Sequence, residues 1–337
     1  MARKHGFFRP HLGRGFPQAA STTMREGGGL PLYFADFVNG VYQVNRAPST
    51  LGAATDYTRS GTAYADNVAG TWSSFGANAE RITDRGILIE PSRQNVLRNN
   101  NGTGASAPST LPTNWSSFVG GALTLAVDSV NTVNGLTIPR FRLSGTANAT
   151  TGLILRFETT TGIAALTGET FTLGAWMRIH AGSTANITVI RLKQAELTAA
   201  GATIKTQDGP DIKASLSSTL TLFESPELLD GGGTTAYMRP FLAIDYNNGA
   251  VVDITFDLMP QVEKAATNTS PIPTSSAAVT RAADALVLKL PGSETHDMLV
   301  TFDNDTTQTI ADVTGGDYSV PTNLDRPRVK SFDWGSV

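Results

Sequence analysis

The stretch TFTLGAWMRI, residues 170–179, decides the fold class. One face of this stretch carries an apolar side chain at every second position, namely Phe171, Leu173, Ala175, Met177 and Ile179. The opposite face carries Thr172, Gly174, Trp176 and Arg178. Strict alternation of this kind is typical of a β-strand with one face in a core. The stretch therefore predicts a long strand whose Phe171 face is buried.

Similar strand patterns recur before and after it. In VVDITFDL, residues 251–258, the predicted core face carries Val252, Ile254, Phe256 and Leu258. The segments ALTLAVD, LILRFET and NITVIRLKQ alternate in the same way. Their regular spacing, with 33 glycines and only 16% charged residues, predicts an all-β protein built around a jelly-roll β-sandwich.

Changes in composition divide the chain into six segments. In order they are a basic arm (1–30), a small irregular β-rich N-terminal attachment module (31–98), a linker rich in Asn, Gly, Ser and Pro (99–114), the sandwich (115–265), an extended Pro/Ser/Thr strap (266–285) and a short C-terminal β module (286–337). The last segment either forms its own hairpin or pairs with the N-terminal module.

The composition also excludes several classes of function. The chain has no cysteine, which rules out disulfides, cysteine nucleophiles and cysteine-bound zinc. A net charge of −3 gives no general attraction to nucleic acid or to anionic membranes. No run of about 18 apolar residues occurs, so membrane insertion is not expected. The N-terminal MARKHGFFRPHLGRGF lacks an apolar core, and we expect no secretory leader.

The N-terminal arm combines basic and aromatic side chains. Its candidates for docking on another protein are Arg3, Lys4, Phe7, Phe8, Arg9, Arg14 and Phe16. Phenylalanine rings are costly to leave in water, which favours a docking role. The alternative is a solvated terminus.

Polar and aromatic residues on the outward strand faces suggest a sugar-binding groove. Aromatic rings stack on the C–H faces of sugars, and charged groups bind their hydroxyls. The candidates for glycan binding are Trp176, Arg178, Tyr237, Arg239 and Asp257. Two alternatives stay open, because Trp176 can be a half-buried packing residue and Arg178 the partner of a nearby carboxylate.

Motifs of catalysis and metal binding are weak in this sequence. It has four histidines, no Gly-x-Ser-x-Gly and no His-Glu-x-x-His, so we expect no enzyme, no catalytic residues and no cofactor. Scattered carboxylates could still form a glycosidase pair, with Asp245, Asp253, Asp257 and Glu263 as candidates. A structural calcium ion would use residues such as Asp128 and Asp257.

Residues 85–100, RGILIEPSRQNVLRNN, concentrate one carboxylate with arginine and amide side chains. The residues alone allow three interpretations: a catalytic segment, a ligand loop, or a structural hinge between two modules.

Two motifs in this order resemble a family of phage virion proteins. RGILIEPSRQNVL is similar to a motif with a glycine, an apolar stretch, Ile-Glu, Pro or a small residue, Arg-x-Asn and Leu, although Gln94 and Val96 stand where the family has Thr and Leu. PQVEKAATNTSPIPTSSAAVTRAAD, residues 260–284, resembles the family's closing segment, with Gln-x-Glu, Thr-Ser-x-Ile-Pro-Thr and Thr-Arg-x-x-Asp. Over residues 34–284 the chain thus resembles spike, head-fibre and tail-fibre proteins of tailed phages and of alphaproteobacterial gene transfer agents.

The resemblance implies a virion structural protein that is assembled in the host cytoplasm. Its N-terminal part would dock on capsid, portal, tail or fibre subunits, and its sandwich would bind host surface polysaccharide. A homo-oligomer is expected, since spikes and fibres close around an axis. The alternatives are an architectural base for another receptor-binding fibre and a glycan depolymerase.

With the resemblance, the arginine- and amide-rich segment is interpreted as part of a structural strap that fixes the first module onto the sandwich. An ion pair and amide-to-backbone hydrogen bonds would hold it, since charges buried in such a contact need partners. The strap residues are Glu90, Arg93, Asn95, Gln261, Glu263, Arg281 and Asp284.

Overall fold

A computed structural model of the protein describes residues 30–159 and 161–335. The docking candidates of the arm, Arg3, Lys4, Phe7, Phe8, Arg9, Arg14 and Phe16, lie outside these described residues. Their role stays a prediction.

The N-terminal segment forms short strands and one helical turn. They are β1 (Tyr33–Asp36), β2 (Val41–Val44), β3 (Ala47–Ser49), α1 (Leu51–Ala54), β4 (Thr55–Thr58), β5 (Ala63–Asp66), β6 (Trp72–Phe75), β7 (Ile82–Thr83), β8 (Gly86–Leu88) and β9 (Arg93–Asn95). Asn45 and Arg46 both have positive φ between β2 and β3, as a two-residue hairpin turn of this hand requires. No helix in the described parts of the chain is long and apolar enough to cross a membrane.

The central segment supplies the long strands of the sandwich. They are β10 (Ser116–Val119), β11 (Thr124–Val133), β12 (Leu136–Thr146), β13 (Thr151–Arg156), β14 (Ile163–Ala164), β15 (Thr170–Ser183), β16 (Ile187–Leu197), β17 (Thr203–Asp211), β18 (Thr221–Leu228), β19 (Tyr237–Tyr246) and β20 (Val251–Glu263). An Asn-Gly turn, Asn134 and Gly135, connects β11 to β12 with both φ angles positive.

These strands form two antiparallel sheets. The β20 sheet has the order β11-β12-β20-β15-β18, and the β19 sheet has the order β10-β13-β19-β16-β17 with β14 beside β19. Their facing sides share one apolar core, in which the predicted residues Phe171, Leu173, Ala175, Met177, Val252, Ile254, Phe256 and Leu258 are all buried. The predicted all-β, jelly-roll sandwich is therefore confirmed.

The last strands join the N-terminal segment in one further sheet. They are β22 (Ala285–Phe302), β23 (Thr307–Ser319) and β24 (Arg328–Trp334); the short strand β21 (Val279–Arg281), which precedes them, pairs with β9 outside this sheet. We call it the terminal sheet; its order is β23-β22-β24-β1-β2-β3, with β4 on β22 and β8 on β24. Tyr33, Phe332 and Trp334 are completely buried in its core. The sequence allowed the C-terminal segment either to form its own hairpin or to pair with the N-terminal module, and the structure shows the pairing. The division into separate modules at 31–98 and 286–337 was therefore wrong. The reason is that β24 pairs with β1 and β8 of the N-terminal segment as well as with β22.

The composition of segment 99–114 predicted a linker. In the structure this segment is not free but anchored on the sandwich. Asn99 and Asn100 are fully buried, and the Asn99 side chain donates hydrogen bonds to the carbonyls of Thr103 and Thr113 at 2.8 and 2.9 Å. The Trp115 indole donates to the carbonyl of Asn99 at 2.7 Å. Amide side chains thus replace apolar ones as anchors, and they fix the loop on the sandwich.

Candidate functional site

The five predicted glycan-binding residues lie on two different sheets. Trp176 and Arg178 on β15 and Asp257 on β20 belong to the β20 sheet. Tyr237 and Arg239 on β19 belong to the β19 sheet. One groove cannot hold all five, because the core of the sandwich separates the two sheets.

Trp176 is a packing residue, which corrects its assignment as an exposed sugar contact. It is only 2% exposed and packs edge-on against Trp72 of β6, with ring centroids 6.1 Å apart. The Trp72 amide donates to the carbonyl of Asn134 at 2.7 Å and holds the β5–β6 hairpin on this sheet. The hairpin therefore covers the part of the outward face around Trp176 on which a groove was expected.

Arg178 and Asp257 form part of an ion-pair network instead of a free sugar site. The Asp257 carboxylate is buried and accepts from Arg178 Nε at 2.6 Å and from Arg140 Nε at 2.7 Å. This is the carboxylate partnership that the sequence had left open for Arg178. Both oxygens of Asp257 already accept from arginine, and a calcium site on Asp128 and Asp257 stays a prediction. The described residues contain no cluster of acidic or histidine side chains that could hold a metal ion.

The outward face of the β19 sheet carries the aromatic and basic side chains that a sugar site needs. Met238, Leu242 and Ile244 of β19 point into the core, so the residues between them point outward. We call this surface the aromatic–basic face; its residues are Phe118, Ile154, Arg156, Arg191, Lys193, Tyr237, Arg239 and Phe241.

Strand register fixes the neighbours on this face. Phe241 on β19 lies between Arg156 of β13 and Lys193 of β16, and it is 8% exposed. Phe118 on the edge strand β10 lies opposite Ile154 and is 54% exposed. The exposed ring at the edge provides a stacking surface, the buried Phe241 packs under the centre of the face, and the cations beside it provide hydrogen-bond donors.

The charges on this face are unevenly distributed. Asp208 forms ion pairs with Arg191 at 3.1 Å and with Lys193 at 2.9 Å, and its negative charge compensates the positive charge on that side of the face. Arg156 and Arg239 lie on the other side, where burial and the Arg156 charge lower the pKa of Arg239. Of the predicted glycan-binding candidates, Tyr237 and Arg239 therefore lie together on this face. The alternation of residues within single strands did not identify Phe118, Arg156 or Phe241 as candidates.

The predicted strap residues meet at the junction of the sandwich with the terminal sheet. Glu90 Oε1 accepts from the Ser270 amide at 2.8 Å, and Oε2 accepts from Arg81 Nη1 at 2.8 Å. Asp284 accepts from the Glu90 amide at 2.7 Å and is also bound by Arg81. We call this buried group the junction clasp; it comprises Tyr57, Arg59, Arg81, Glu90, Ser270, Arg281 and Asp284.

The ion-pair partners of Glu90 lie outside its own segment, residues 85–100. Its ion-pair partners are Arg81 at 2.8 Å and Arg281 at 3.4 Å, while the partly exposed Arg93 lies 3.7 Å from Glu263. Arg81 was missed because it lies in a polar stretch, GANAERITDR, with nothing to mark it as buried. The structure shows it completely buried.

Amide side chains bind the strap to the sandwich. Asn95 Nδ2 donates to the Ile272 carbonyl at 2.9 Å, and its Oδ1 accepts from the Val262 amide at 3.1 Å. Gln261 Oε1 accepts from the Ile272 amide at 2.7 Å. Strand β9, the end of β20 and the strap are thereby held in one fixed arrangement.

Folding shifts the pKa values of Glu90, in the junction clasp, and of the nearby Glu263 in opposite directions. Burial alone would raise the pKa of Glu90, but Arg81, Arg281 and the Ser270 hydroxyl hold it below its ordinary value. Glu263 behaves in the opposite way, because burial raises its pKa and the Glu90 charge adds to this, against hydrogen bonds from Thr269 and Gln261. Among the described residues, Glu263 Oε2 has no hydrogen-bond partner.

Replacing Glu263 with glutamine is expected to stabilise the protein at high pH. A carboxyl group whose pKa is raised by folding favours the folded state below its unfolded pKa, and this contribution is lost as pH rises through the folded pKa. Glutamine keeps the Oε1 acceptor and removes the buried charge. We expect Glu263→Gln to unfold in urea with about 1 kcal/mol more stability at pH 8 and with no gain at pH 4. Glu294→Gln, at an exposed site, is the control; a less stable Glu263→Gln at pH 8 would contradict the assignment.

A cavity of about 620 Å³ opens beside β9, lined among others by Arg93, Phe171 and Lys264. Lys264 is ion-paired with Glu169 on its rim. Arg93 reaches the cavity from β9.

Comparison with known proteins gives likeness to solved structures alone. No family model and no curated protein matches the chain. Solved structures similar to it include carbohydrate-binding modules: the CBM22-1 xylan-binding domain from Paenibacillus barcinonensis Xyn10C, at 11% identity and a TM-score of 0.31, covering 52% of this chain and 94% of that one. A second is the family 11 module of cellulosomal cellulase Lic26A-Cel5E of Clostridium thermocellum, at 16% identity and a TM-score of 0.29, covering 49% and 98%.

A glycoside hydrolase is similar to the same degree. The Spr0440 glycoside hydrolase domain, Endo-D from Streptococcus pneumoniae R6, matches at 13% identity and a TM-score of 0.30, and the match covers 74% of this chain and 44% of that one. Scores near 0.3 are too low to transfer a ligand or an activity. The function must be argued from the residues of this chain.

Proposed function

We propose that the protein is a polysaccharide-binding structural protein that uses the aromatic–basic face of the β19 sheet as its sugar-binding surface. The observation that carries the proposal is the ring of Phe118, 54% exposed, on the same face as Tyr237 and a group of arginines. Exposed rings stack on the C–H faces of sugars, and guanidinium groups bind their hydroxyls and acidic substituents.

The other broad face of the sandwich is a poorer candidate. The β5–β6 hairpin covers Trp176 there, and Arg140 and Arg178 are engaged by Asp257. The clasp and strap fix the sandwich to the terminal sheet, which suits a module held at a set orientation. A weak site repeated in several copies of an oligomer would bind a polymer with high avidity.

The biological setting belongs to the same proposal. The two sequence motifs over residues 34–284 support a spike, head-fibre or tail-fibre protein of a tailed phage or gene transfer agent, which attaches to the particle by its N-terminal part. Its ligand would then be the surface polysaccharide of the host cell.

Truncating the exposed ring tests the binding surface. We expect Phe118→Ala to weaken retention on purified surface polysaccharide by at least tenfold, which corresponds to about 1.4 kcal/mol, and Tyr237→Ala to act in the same direction. The measurement is affinity electrophoresis with capsule or lipopolysaccharide from alphaproteobacterial cells.

Leu228→Ala is the matched control, because Leu228 is 56% exposed but lies on β18 of the other sheet. Equal retention of Phe118→Ala and Leu228→Ala would remove the aromatic–basic face as the site. No retention of the wild-type oligomer on any surface polysaccharide would overturn the function itself.

The runner-up function is an architectural base that carries a separate receptor-binding fibre. The junction clasp favours it, since a network of buried charges across three segments makes a rigid connector. A depolymerase has less support, because Asp253 and Asp257 are each bound by arginine and Glu263 is buried. A hydrolytic pair needs two carboxyl groups facing one glycosidic bond.

A further inference from the structure

The cavity beside β9 has an apolar floor that continues the core of the sandwich. Its volume of about 620 Å³ lies within the roughly 300–1,000 Å³ typical of small-molecule sites. Phe171 and Ala165 line it and are buried, and the half-buried Val96 packs against the same core. Leu166 also lines it and is 63% exposed. A ligand with an apolar body can therefore remove both its own and the protein's apolar surface from water here.

The lining differs from that of the aromatic–basic face. Among the described residues that line the cavity, Phe171 supplies the one ring, and this ring is buried and offers no face for stacking on a sugar. Three alanines, Ala164, Ala165 and Ala236, keep the space open because their side chains are small. Such walls favour an alkyl chain or a compact apolar ring over a hydroxylated sugar, whose polar groups would find few partners.

Arg93 brings a weakly compensated positive charge to the rim. It is a predicted strap residue that is not part of the junction clasp, and its side chain is 36% exposed. Its Nη1 donates to the carbonyl of the preceding Ser92 at 3.1 Å, and its Nε lies 3.7 Å from Glu263 Oε2, too far for a hydrogen bond. Within the described parts of the chain, Nη2 donates to no group. The guanidinium group therefore keeps donors for a ligand.

Glu263 is a poor counter-charge for Arg93. Its Oε1 accepts from Gln261 Nε2 at 2.6 Å and from the Thr269 amide at 2.8 Å, which fixes the carboxyl group on the strap. Burial raises the pKa of Glu263 and so disfavours its negative charge. An anion that arrives from the cavity can approach Arg93 from its exposed side and compensate the charge better.

The second cation of the rim is already neutralised. Lys264 forms an ion pair with Glu169, which also lines the cavity. Glu169 Oε2 accepts from the Leu166 amide at 3.0 Å, and these contacts hold the pKa of Glu169 below its ordinary value. The Glu169 charge repels an anion on that side, so an anionic group is directed to Arg93.

We propose that the cavity beside β9 binds a small amphipathic carboxylate, whose anionic group pairs with Arg93 and whose apolar body lies over Val96 and Phe171. The planar guanidinium group donates paired hydrogen bonds that match the two oxygens of a carboxylate. This site lies apart from the aromatic–basic face, and the inference does not depend on the proposed function.

The test uses octanoate as the probe and octanamide as its uncharged counterpart. Saturation-transfer NMR titrations of the full chain give an affinity for each. We expect saturable binding of octanoate and about tenfold weaker binding of octanamide, because the amide lacks the charge that pairs with Arg93. In Arg93→Gln the affinity for octanoate should fall about tenfold, to that of octanamide.

Two further variants locate the ligand. Ala164→Trp fills the cavity with an indole and leaves Arg93 in place, and we expect it to bind both probes about tenfold more weakly. Arg93→Lys keeps the charge but not the paired donors and should lose severalfold in affinity for octanoate. Thermal unfolding shows whether each variant is folded, and Arg93→Lys carries the test if Arg93→Gln is not.

Arg142→Gln is the matched control, because Arg142 is an exposed arginine on the β20 sheet and its removal changes the net charge equally. Phe118→Ala is the control for the aromatic–basic face. Both should bind octanoate as the wild type does.

Four results would overturn the carboxylate site. They are a wild-type protein without saturable octanoate binding, equal affinities for octanoate and octanamide, equal losses in Arg93→Gln and Arg142→Gln, and a folded Ala164→Trp that binds octanoate as the wild type does. A loss in Phe118→Ala would place the carboxylate on the aromatic–basic face and also overturn it. Polysaccharide retention is a separate measurement, so the proposed function stands or fails independently.

Discussion

Replacing Asp284 with alanine is expected to lower the free energy of unfolding by about 3–5 kcal/mol. Its carboxylate is fully buried and is bound by Arg59 at 3.2 Å, by Arg81 and by Tyr57. Removing it leaves three buried guanidinium groups, those of Arg59, Arg81 and Arg281, with one fewer anion. The Glu90 amide also loses its acceptor, which Asp284 provides at 2.7 Å. Urea unfolding at pH 7, followed by circular dichroism, measures the loss.

Asp253→Ala is the control for this prediction. Asp253 pairs with Arg142 at 2.9 Å, but both side chains are more than half exposed, and solvent screens such a pair. We expect its unfolding midpoint to be nearly that of the wild type. An Asp284→Ala protein as stable as Asp253→Ala would show that the junction clasp does not hold the sandwich on the terminal sheet.

Replacing Trp176 with alanine is expected to cost about 3–5 kcal/mol as well, for a different reason. The change leaves a cavity between the β20 sheet and the β5–β6 hairpin, where Trp72, Ile138 and Met259 lose their contacts with the indole. Trp176→Phe fills part of that space and should lose less. Thermal and urea unfolding of both variants provide the comparison.

The Trp176→Phe variant distinguishes a packing role of Trp176 from a role in sugar binding. Where Trp176→Phe is folded, it should be retained on surface polysaccharide as the wild type is, since its ring does not reach the aromatic–basic face. A Trp176→Ala protein of wild-type stability, or a stable Trp176→Phe protein that no longer binds sugar, would indicate that the sugar-binding site lies on the β20 sheet.

Much of the fold could be predicted from local pattern. Alternation in residues 170–179 and 251–258 places the correct side chains in the core, because every second residue of a strand faces the same way. The Asn95 bonds to backbone followed from the chemistry of a buried amide. These features depend on neighbours in sequence or on the residue type itself.

The errors arose where distant segments decide burial. Trp176 was assigned to an open face because the alternation within its strand cannot show that Trp72, a hundred residues earlier, covers it. Asn99 and Asn100 looked like linker residues because their composition is polar, although their amides are saturated by backbone groups. Arg81 carried no sequence signal because its partners, Glu90 and Asp284, meet only in the fold.

The candidate site shows the same division. Outward-facing Tyr237 and Arg239 could be found from residue type, but not the sheet to which they belong. Phe118 and Arg156 became candidates once the register of β10, β13 and β19 brought them together. A face built from three strands that are far apart in sequence is visible only when the strand order is known.

The proposed function requires ligand to bind on the aromatic–basic face of the β19 sheet. The most direct measurement is amide chemical-shift mapping of the ¹⁵N-labelled protein titrated with short acidic oligosaccharides. We expect the largest shifts to cluster on β10, β13, β16 and β19, around Phe118, Arg156 and Arg239. Shifts concentrated on β12, β15 and β20, or no shifts at any concentration that saturates the polymer-binding assay, would contradict it.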